Sequence, residues 1–148
     1  MADASRRAAA SVKRGGLPNA LFLAESAERL PGALASRADL VTVVLPWGSL
    51  LRDILAADTT IVAGLSGLLS PSGELVLFLS GIDRAQVVEL ANRLAGLEPV
   101  EVREVTESDV SQLSSGWARR LGIPARRPGW LVRLQAGPGG ESGSRSLV

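Results

Sequence analysis

Cysteine and histidine are both absent from this chain of 148 residues. Without cysteine there are no disulfides, thiol nucleophiles or thiolate metal sites. Without histidine there is no imidazole acid/base chemistry, and most zinc and iron centres are excluded, so no metal is expected. An enzyme built from what remains relies on positioning, on carboxylates, or on a cofactor that carries the reactivity. Tyr is also missing, and the aromatic residues are two Phe and three Trp. No apolar run approaches the roughly 20 residues of a membrane-spanning helix, so no membrane association is expected. The basic, Ala-rich start over 1–16 lacks the apolar stretch of a secretory signal, and a cytoplasmic location is the simplest expectation.

What is present suits one domain with a real core, since apolar residues make up 46% of the chain. Net charge is only +1, yet it is unevenly spread. No acid lies between Val110 and Gly140, whereas Arg119, Arg120, Arg126, Arg127 and Arg133 all do. Arg6, Arg7, Lys13 and Arg14 make the start basic, and acids gather between Glu98 and Asp109. Two basic clusters either side of an acidic one point to a polyanion-binding face, although charge runs are as often merely solvated.

The pattern predicts a helix over Ala2–Val12 ended by Gly15-Gly16, and a short buried strand over Ala20–Ala24. Loop and short helix follow around Pro31. Leu40–Leu45 is the best strand, β-branched and nearly all apolar. Helices are expected over Trp47–Ala56, Thr59–Leu69, Arg84–Leu97 and Ser108–Leu121, and a turn at Pro71-Ser72-Gly73. Glu74–Ser80, Val100–Val105 and Trp130–Leu134 read as strands. Asp39 and Asp58 read as turn or capping residues. Gly137–Val148 reads as a disordered Gly/Ser-rich tail, leaving 1–136 as the domain. Strands alternating with helices predict an α/β fold, a mostly parallel sheet covered on both faces, with the last two strands as an antiparallel edge.

Two of the three Trp residues lie outside the apolar runs. Trp47 sits in Val44-Leu45-Pro46-Trp47-Gly48-Ser49-Leu50-Leu51, at a strand's carboxyl end, where ligands of such sheets bind. Trp117 sits in Ser114-Ser115-Gly116-Trp117-Ala118-Arg119-Arg120. A large flat ring in either setting can stack on a planar ligand. Read alone, Trp47 is equally a turn residue closing the core, Trp117 a helix residue packed on the sheet, and Glu28 a surface acid. Trp130, opening a strand, reads as core.

Together these segments, with Ala27-Glu28-Arg29-Leu30-Pro31 and Gly15-Gly16-Leu17-Pro18-Asn19-Ala20, resemble the aminoglycoside-resistance 16S ribosomal RNA methyltransferases. The resemblance runs from Met1 to about Gln135. It implies a Rossmann-like class I fold and transfer of a methyl group from S-adenosylmethionine to N1 of an adenine in the small-subunit decoding site. By resemblance, Ala27 and Glu28 border the cofactor's adenine, Val44, Leu45 and Pro46 line its pocket, and the Ser49 hydroxyl reaches it. Trp47 and Trp117 would hold the flipped target adenine, with Ser115 in support. Arg6, Arg7, Lys13, Arg14, Arg119, Arg120, Arg126 and Arg127 would contact ribosomal RNA phosphates. The partner implied is the small ribosomal subunit, approached by a monomer. Position 45 is Leu where relatives commonly carry an aromatic. The opening strand, Gly-rich turn, helix and second strand of such folds have no counterpart here, so an incomplete fold prone to self-association is expected. An inactive or RNA-binding remnant, and a methyltransferase with a small-molecule substrate, are the alternatives.

Overall fold

The computed structural model describes residues 13, 19–20, 22–94, 96–113 and 116–137. The expected helix over 2–12, Arg6, Arg7, Arg14, Ser115 and the tail over 138–148 lie outside them.

A short 3-10 turn, Gly32–Leu34, leads into strand β1, Ala38–Val44. Helices α1 (Gly48–Leu55) and α2 (Thr59–Ser66) cross over to β2 (Leu69–Ser80). Helix α3 (Arg84–Arg93) leads to β3 (Leu97–Glu104). Short helices α4 (Glu107–Gln112) and α5 (Gly116–Leu121) lead to β4 (Gly129–Ala136). Among the described residues the strands form one sheet in the order β1-β2-β4-β3. β1 runs parallel to β2, with Val41 opposite Leu75 and Val44 opposite Phe78. β4 is antiparallel to both neighbours, pairing Val132 with Leu77 on one side and with Val102 on the other.

β2 explains the layering. Its side chains alternate between faces, so Leu75, Leu77 and Leu79 join one cluster while Val76 and Phe78 join the other. The first cluster takes Ile54 of α1, Ile61 and Leu65 of α2, and Val87 and Leu90 of α3. Fully burying each such side chain contributes about 1.5–3 kcal/mol. Trp130 belongs to this core, as its strand position predicts, and its indole N–H donates to the Ile82 carbonyl at 3.0 Å. The second cluster lies under α4 and α5 and takes Val105, Val110, Ala118, Ile123 and Leu131. This cover stops short of β1, where Leu40 and Val44 are 58% and 39% exposed.

Several expectations need correcting. The sheet is mixed among the described residues, with one parallel pairing and two antiparallel ones. The antiparallel edge is present, because β3 and β4 do pair. Residues 20 and 22–24 are not strand. An apolar run becomes a strand only with a ladder partner, and none of the described strands pairs with it. Pro71-Ser72-Gly73 lies within β2, where the ladder to β1 slips: Ala38 faces Leu69 but Leu40 faces Glu74. The turn chemistry is thus used for a bulge, with Ser72 at φ +63°. The helix expected to Leu69 ends at Ser66, and the one expected to Leu97 ends at Arg93. Leu94 and Leu97, which fit one apolar helical face, are buried, but from a turn and a strand position, and Leu69 is buried in β2. The helix expected over 108–121 is two helices, the first ending at Gln112 and the second starting at Gly116. Asp58 does cap α2, accepting from the Thr60 and Ile61 amides at 2.9 and 3.2 Å. Asp39 lies inside β1 instead and accepts from the Ser70 hydroxyl at 2.7 Å.

Candidate functional site

The site forms where β1 ends. The Leu45 amide still donates to the Phe78 carbonyl at 2.8 Å, one residue past the strand. Leu45 then turns into the left-handed region at φ +48°, a conformation non-glycine residues hold only when their surroundings fix it. What fixes it is burial: its side chain, 7% exposed, is part of the cluster containing Val76 and Phe78. The chain therefore leaves the sheet abruptly while its last apolar side chain stays inside. Trp47 follows in extended conformation as the N-cap of α1, making no side-chain capping bond. Gly48 has φ +63°, which only glycine adopts without strain. The result is an indole 79% exposed at the mouth of a sheet. Exposing a ring that large is unfavourable unless something covers it.

Val44, Leu45, Pro46, Trp47 and Leu50 line a cleft of about 740 Å³ at this turn. Four of these were expected from sequence. Leu50 was missed, although its place three residues after Trp47 at a helix start was the available signal. Ser49 is exposed in the first turn of α1.

Ala27 and Glu28 are not among the cleft-lining residues. They occupy a turn in which the Ser26 hydroxyl donates to the Glu28 carboxylate at 2.6 Å and accepts from its amide at 3.2 Å. The turn rests on α2 at Gly64, where a Cβ would collide with the Ala27 carbonyl. The glycine there is a close-approach requirement.

Trp117 stands in α5 beside Ala118, which is 1% exposed and fixes the helix on the sheet. Arg119 and Arg120 are exposed in the same helix. Arg126 and Arg127 are exposed in the turn that follows, where the Arg126 amide donates to the Gly122 carbonyl at 2.6 Å. None of these four has an ion-pair partner among the described residues. Lys13 is exposed.

Sequence reasoning gave no role to the acidic stretch, yet it builds a network on the α4 side of the sheet. Arg103 grips Asp109 with two hydrogen bonds of 2.6 and 2.8 Å and reaches Glu101 at 2.9 Å. Asp109 also accepts the Thr106 amide at 2.7 Å, closing a capping box at the start of α4. The Arg103 guanidinium, helped by Thr106, holds the Asp109 carboxyl well below the usual carboxylate range. The same bonds raise Arg103 further above its already high value. Arg103, Asp109 and Arg133 line a groove of about 480 Å³ floored by Val76, Phe78 and Leu131. No group of acidic residues that could hold a metal ion exists among the described residues. No described helix is long and apolar enough to cross a membrane.

Comparison with known proteins fits this geometry. An rRNA methyltransferase of Saccharopolyspora hirsuta is 35% identical over 134 residues, covering 78% of this chain and 85% of the relative. A 16S rRNA (adenine(1408)-N(1))-methyltransferase of Streptoalloteichus tenebrarius is 33% identical over 139 residues. That match covers 82% of this chain but 64% of the relative. Among solved structures, a variant of the 16S rRNA (adenine(1408)-N(1))-methyltransferase from Catenulisporales acidiphilia, with cosubstrate SAM, superposes with a TM-score of 0.79 at 28% identity. It covers 100% of this chain and 73% of that one. The sheet described above is therefore part of a Rossmann-like methyltransferase fold. With the NpmA family model, 16S rRNA (adenine(1408)-N(1))-methyltransferase, matching residues 1–136, the chain belongs to that family.

Proposed function

We propose that this chain carries the substrate-holding part of an enzyme that methylates N1 of an adenine in the 16S rRNA decoding site, using S-adenosylmethionine and conferring aminoglycoside resistance. The exposed Trp47 at the carboxyl end of β1 is the observation that carries this reading.

The residues at the cleft fit the cofactor. Val44, Leu45, Pro46 and Leu50 offer an apolar wall for its flat adenosyl part, and the exposed Ser49 hydroxyl stands beside them. The bound cofactor supplies a methyl group on a positively charged sulfur. Trp47 stacks on the target adenine once that base has been splayed from the RNA, and Trp117 is its counterpart across the ring. Splaying costs a few kcal/mol, which stacking offsets. The N1 lone pair is free, so the attack needs no general base, in keeping with a chain that lacks histidine and cysteine. Positive charge grows on the adenine ring during transfer, and an indole face stabilises it by about 1–2 kcal/mol when desolvated. The remaining acceleration is orientation of the two reactants. Arg119, Arg120, Arg126 and Arg127 supply phosphate contacts from one side of the sheet, together with Arg6, Arg7, Lys13 and Arg14 from the amino-terminal stretch.

Calorimetric titration with S-adenosylmethionine, followed by transfer of a labelled methyl group to purified small ribosomal subunits, tests the proposal. Saturable one-site binding and incorporation are expected, with incorporation falling about 10- to 100-fold in Trp47→Ala while the melting temperature holds. A folded chain that binds neither would overturn it for this chain. Binding of ribosomal RNA without the cofactor would favour a second reading, an RNA-binding module. The four exposed arginines without ion-pair partners among the described residues support that reading.

A further inference from the structure

The loop between α5 and β4 is pinned at both ends. At its start the Ile123 amide donates to the Ala118 carbonyl at 3.3 Å, and the Ile123 side chain is buried in the cluster under α4 and α5. At its end the Ser80 hydroxyl donates to the Pro128 carbonyl at 3.3 Å, and the Val105 amide donates to the Gly129 carbonyl at 2.8 Å. The two ends also touch, since a Cβ on Gly129 would stand only 2.7 Å from Ile123 Cγ2. This loop adjoins the candidate site through β2. Ser80 ends that strand, two residues after Phe78, whose carbonyl takes the Leu45 amide. β2 therefore carries the turn of Trp47 on one side and the arginine loop on the other.

Inside the loop, Gly122 and Arg126 are in contact. The Arg126 amide closes a turn by donating to the Gly122 carbonyl at 2.6 Å. Gly122 has φ +69°, and a Cβ there would fall 2.9 Å from Arg126 Cδ, 3.0 Å from its Cβ and 3.1 Å from its Cγ. The aliphatic stem of Arg126 thus lies along the bare face of Gly122, in space that any other residue would fill. With no acid between Val110 and Gly140, the segment holds no carboxylate onto which this arginine could fold back.

We propose that Gly122 is a positioning residue, holding the Arg126 stem against the turn so that its guanidinium meets one phosphate of the ribosomal RNA at a fixed place beside Trp47. The inference rests on the RNA-binding part of the function proposed above. An exposed arginine samples many rotamers, and a phosphate contact must freeze them. A stem already laid on Gly122 has lost part of that freedom, so more of the contact survives as affinity. Phosphate contacts set the register of a bound nucleic acid rather than read its sequence. A loop tied to β2 at Ser80 sets that register relative to the strand end where the target base would stack.

The test is a double-mutant cycle read by binding of purified 16S ribosomal RNA across a range of salt concentrations. Arg126→Gln is expected to flatten the log–log salt slope by about 0.7–0.9, roughly a five- to eight-fold loss of affinity at 0.1 M salt. Gly122→Ala is expected to lose most of the same affinity, and the double variant to bind no more weakly than Arg126→Gln alone. Gly96→Ala separates collision from backbone strain. Gly96 also has positive φ, +79°, but nothing lies within 4 Å of its Cβ position, so this variant should bind like the parent. Without RNA, nitrogen relaxation of the arginine Nε–H groups should show Arg126 more ordered than Arg127 in the parent chain and equally mobile in Gly122→Ala. Additive losses in the double variant would overturn the proposal, as would parent-like binding by Gly122→Ala, an Arg126 as mobile as Arg127, or a parent chain without affinity for the RNA. Should Gly122→Ala fail to fold, the contrast between Arg126 and Arg127 in the parent decides alone. A chain that binds the RNA in this way but transfers no methyl group would sink the proposed activity and leave this inference standing.

Discussion

Asp109 anchors α4 twice, and removing its charge has a calculable consequence. Its carboxylate takes two hydrogen bonds from Arg103 at 2.6 and 2.8 Å and one from the Thr106 amide at 2.7 Å. Asp109→Asn keeps an oxygen for Thr106 but loses the ionic pair. The Arg103 side chain is 36% exposed and keeps Glu101 at 2.9 Å, so it is not stranded, and the loss is about 1 kcal/mol. Asp109→Ala also removes the reciprocal cap, a further ~1 kcal/mol. The melting temperature then falls by roughly 5–10 °C for a domain of this size. The pH dependence identifies the cause. Arg103 and Thr106 hold the folded carboxyl below its unfolded value. The stabilisation is therefore complete above about pH 4 and is lost as pH falls from there toward the folded value. Urea unfolding followed by circular dichroism at pH 7, 5 and 3 is the assay. The gap between the parent chain and Asp109→Asn should be the same at pH 7 and 5 and should shrink at pH 3. A gap that stays constant or widens at pH 3 would refute the assignment of this stability to the Arg103–Asp109 pair.

Gly64→Ala places a Cβ against the Ala27 carbonyl and must displace the 26–29 turn. We expect the melting temperature to fall by a few degrees and, if Ala27 and Glu28 border the cofactor, the S-adenosylmethionine Kd from calorimetry to rise at least several-fold; an unchanged Kd would detach this turn from the site. Replacing Arg119, Arg120, Arg126 and Arg127 by Gln should flatten the plot of log affinity for ribosomal RNA against log salt. Each lost phosphate contact lowers its slope by about 0.7–0.9, and a slope unmoved by all four would place the RNA elsewhere.

The elements legible in the sequence were those whose signal is local. Leu40–Val44 is β-branched and apolar, and it is a strand; Asp58 precedes a helical pattern, and it caps a helix. A helix was expected from Trp47, and Trp47 is the N-cap of α1. What could not be read depends on distant partners. Residues 20–24 have strand composition but no described ladder partner. Leu94 and Leu97 satisfy a helical period yet are buried from a turn and a strand. The left-handed Leu45 has no sequence signature, because its conformation follows from a side chain held by Val76 and Phe78, over thirty residues further on. The grip of Arg103 on Asp109 likewise needs a strand and a helix in place, and spacing alone showed only a run of acids.

The position of β4 in the sheet sets a constraint on how the protein is made. Its Val132 and Leu134 are wholly inaccessible to solvent, yet it is the last of the described strands to leave the ribosome. β2 and β3 are synthesised earlier but touch β4 rather than each other. Until residue 136 has emerged, both must wait with bonding edges open, and each closes only through contacts distant in sequence. Such closure is slow, and the waiting chain is vulnerable to aggregation. Translation that stops before Gly129 leaves a sheet with its middle missing, so the nascent chain is at greatest risk just before β4 is complete.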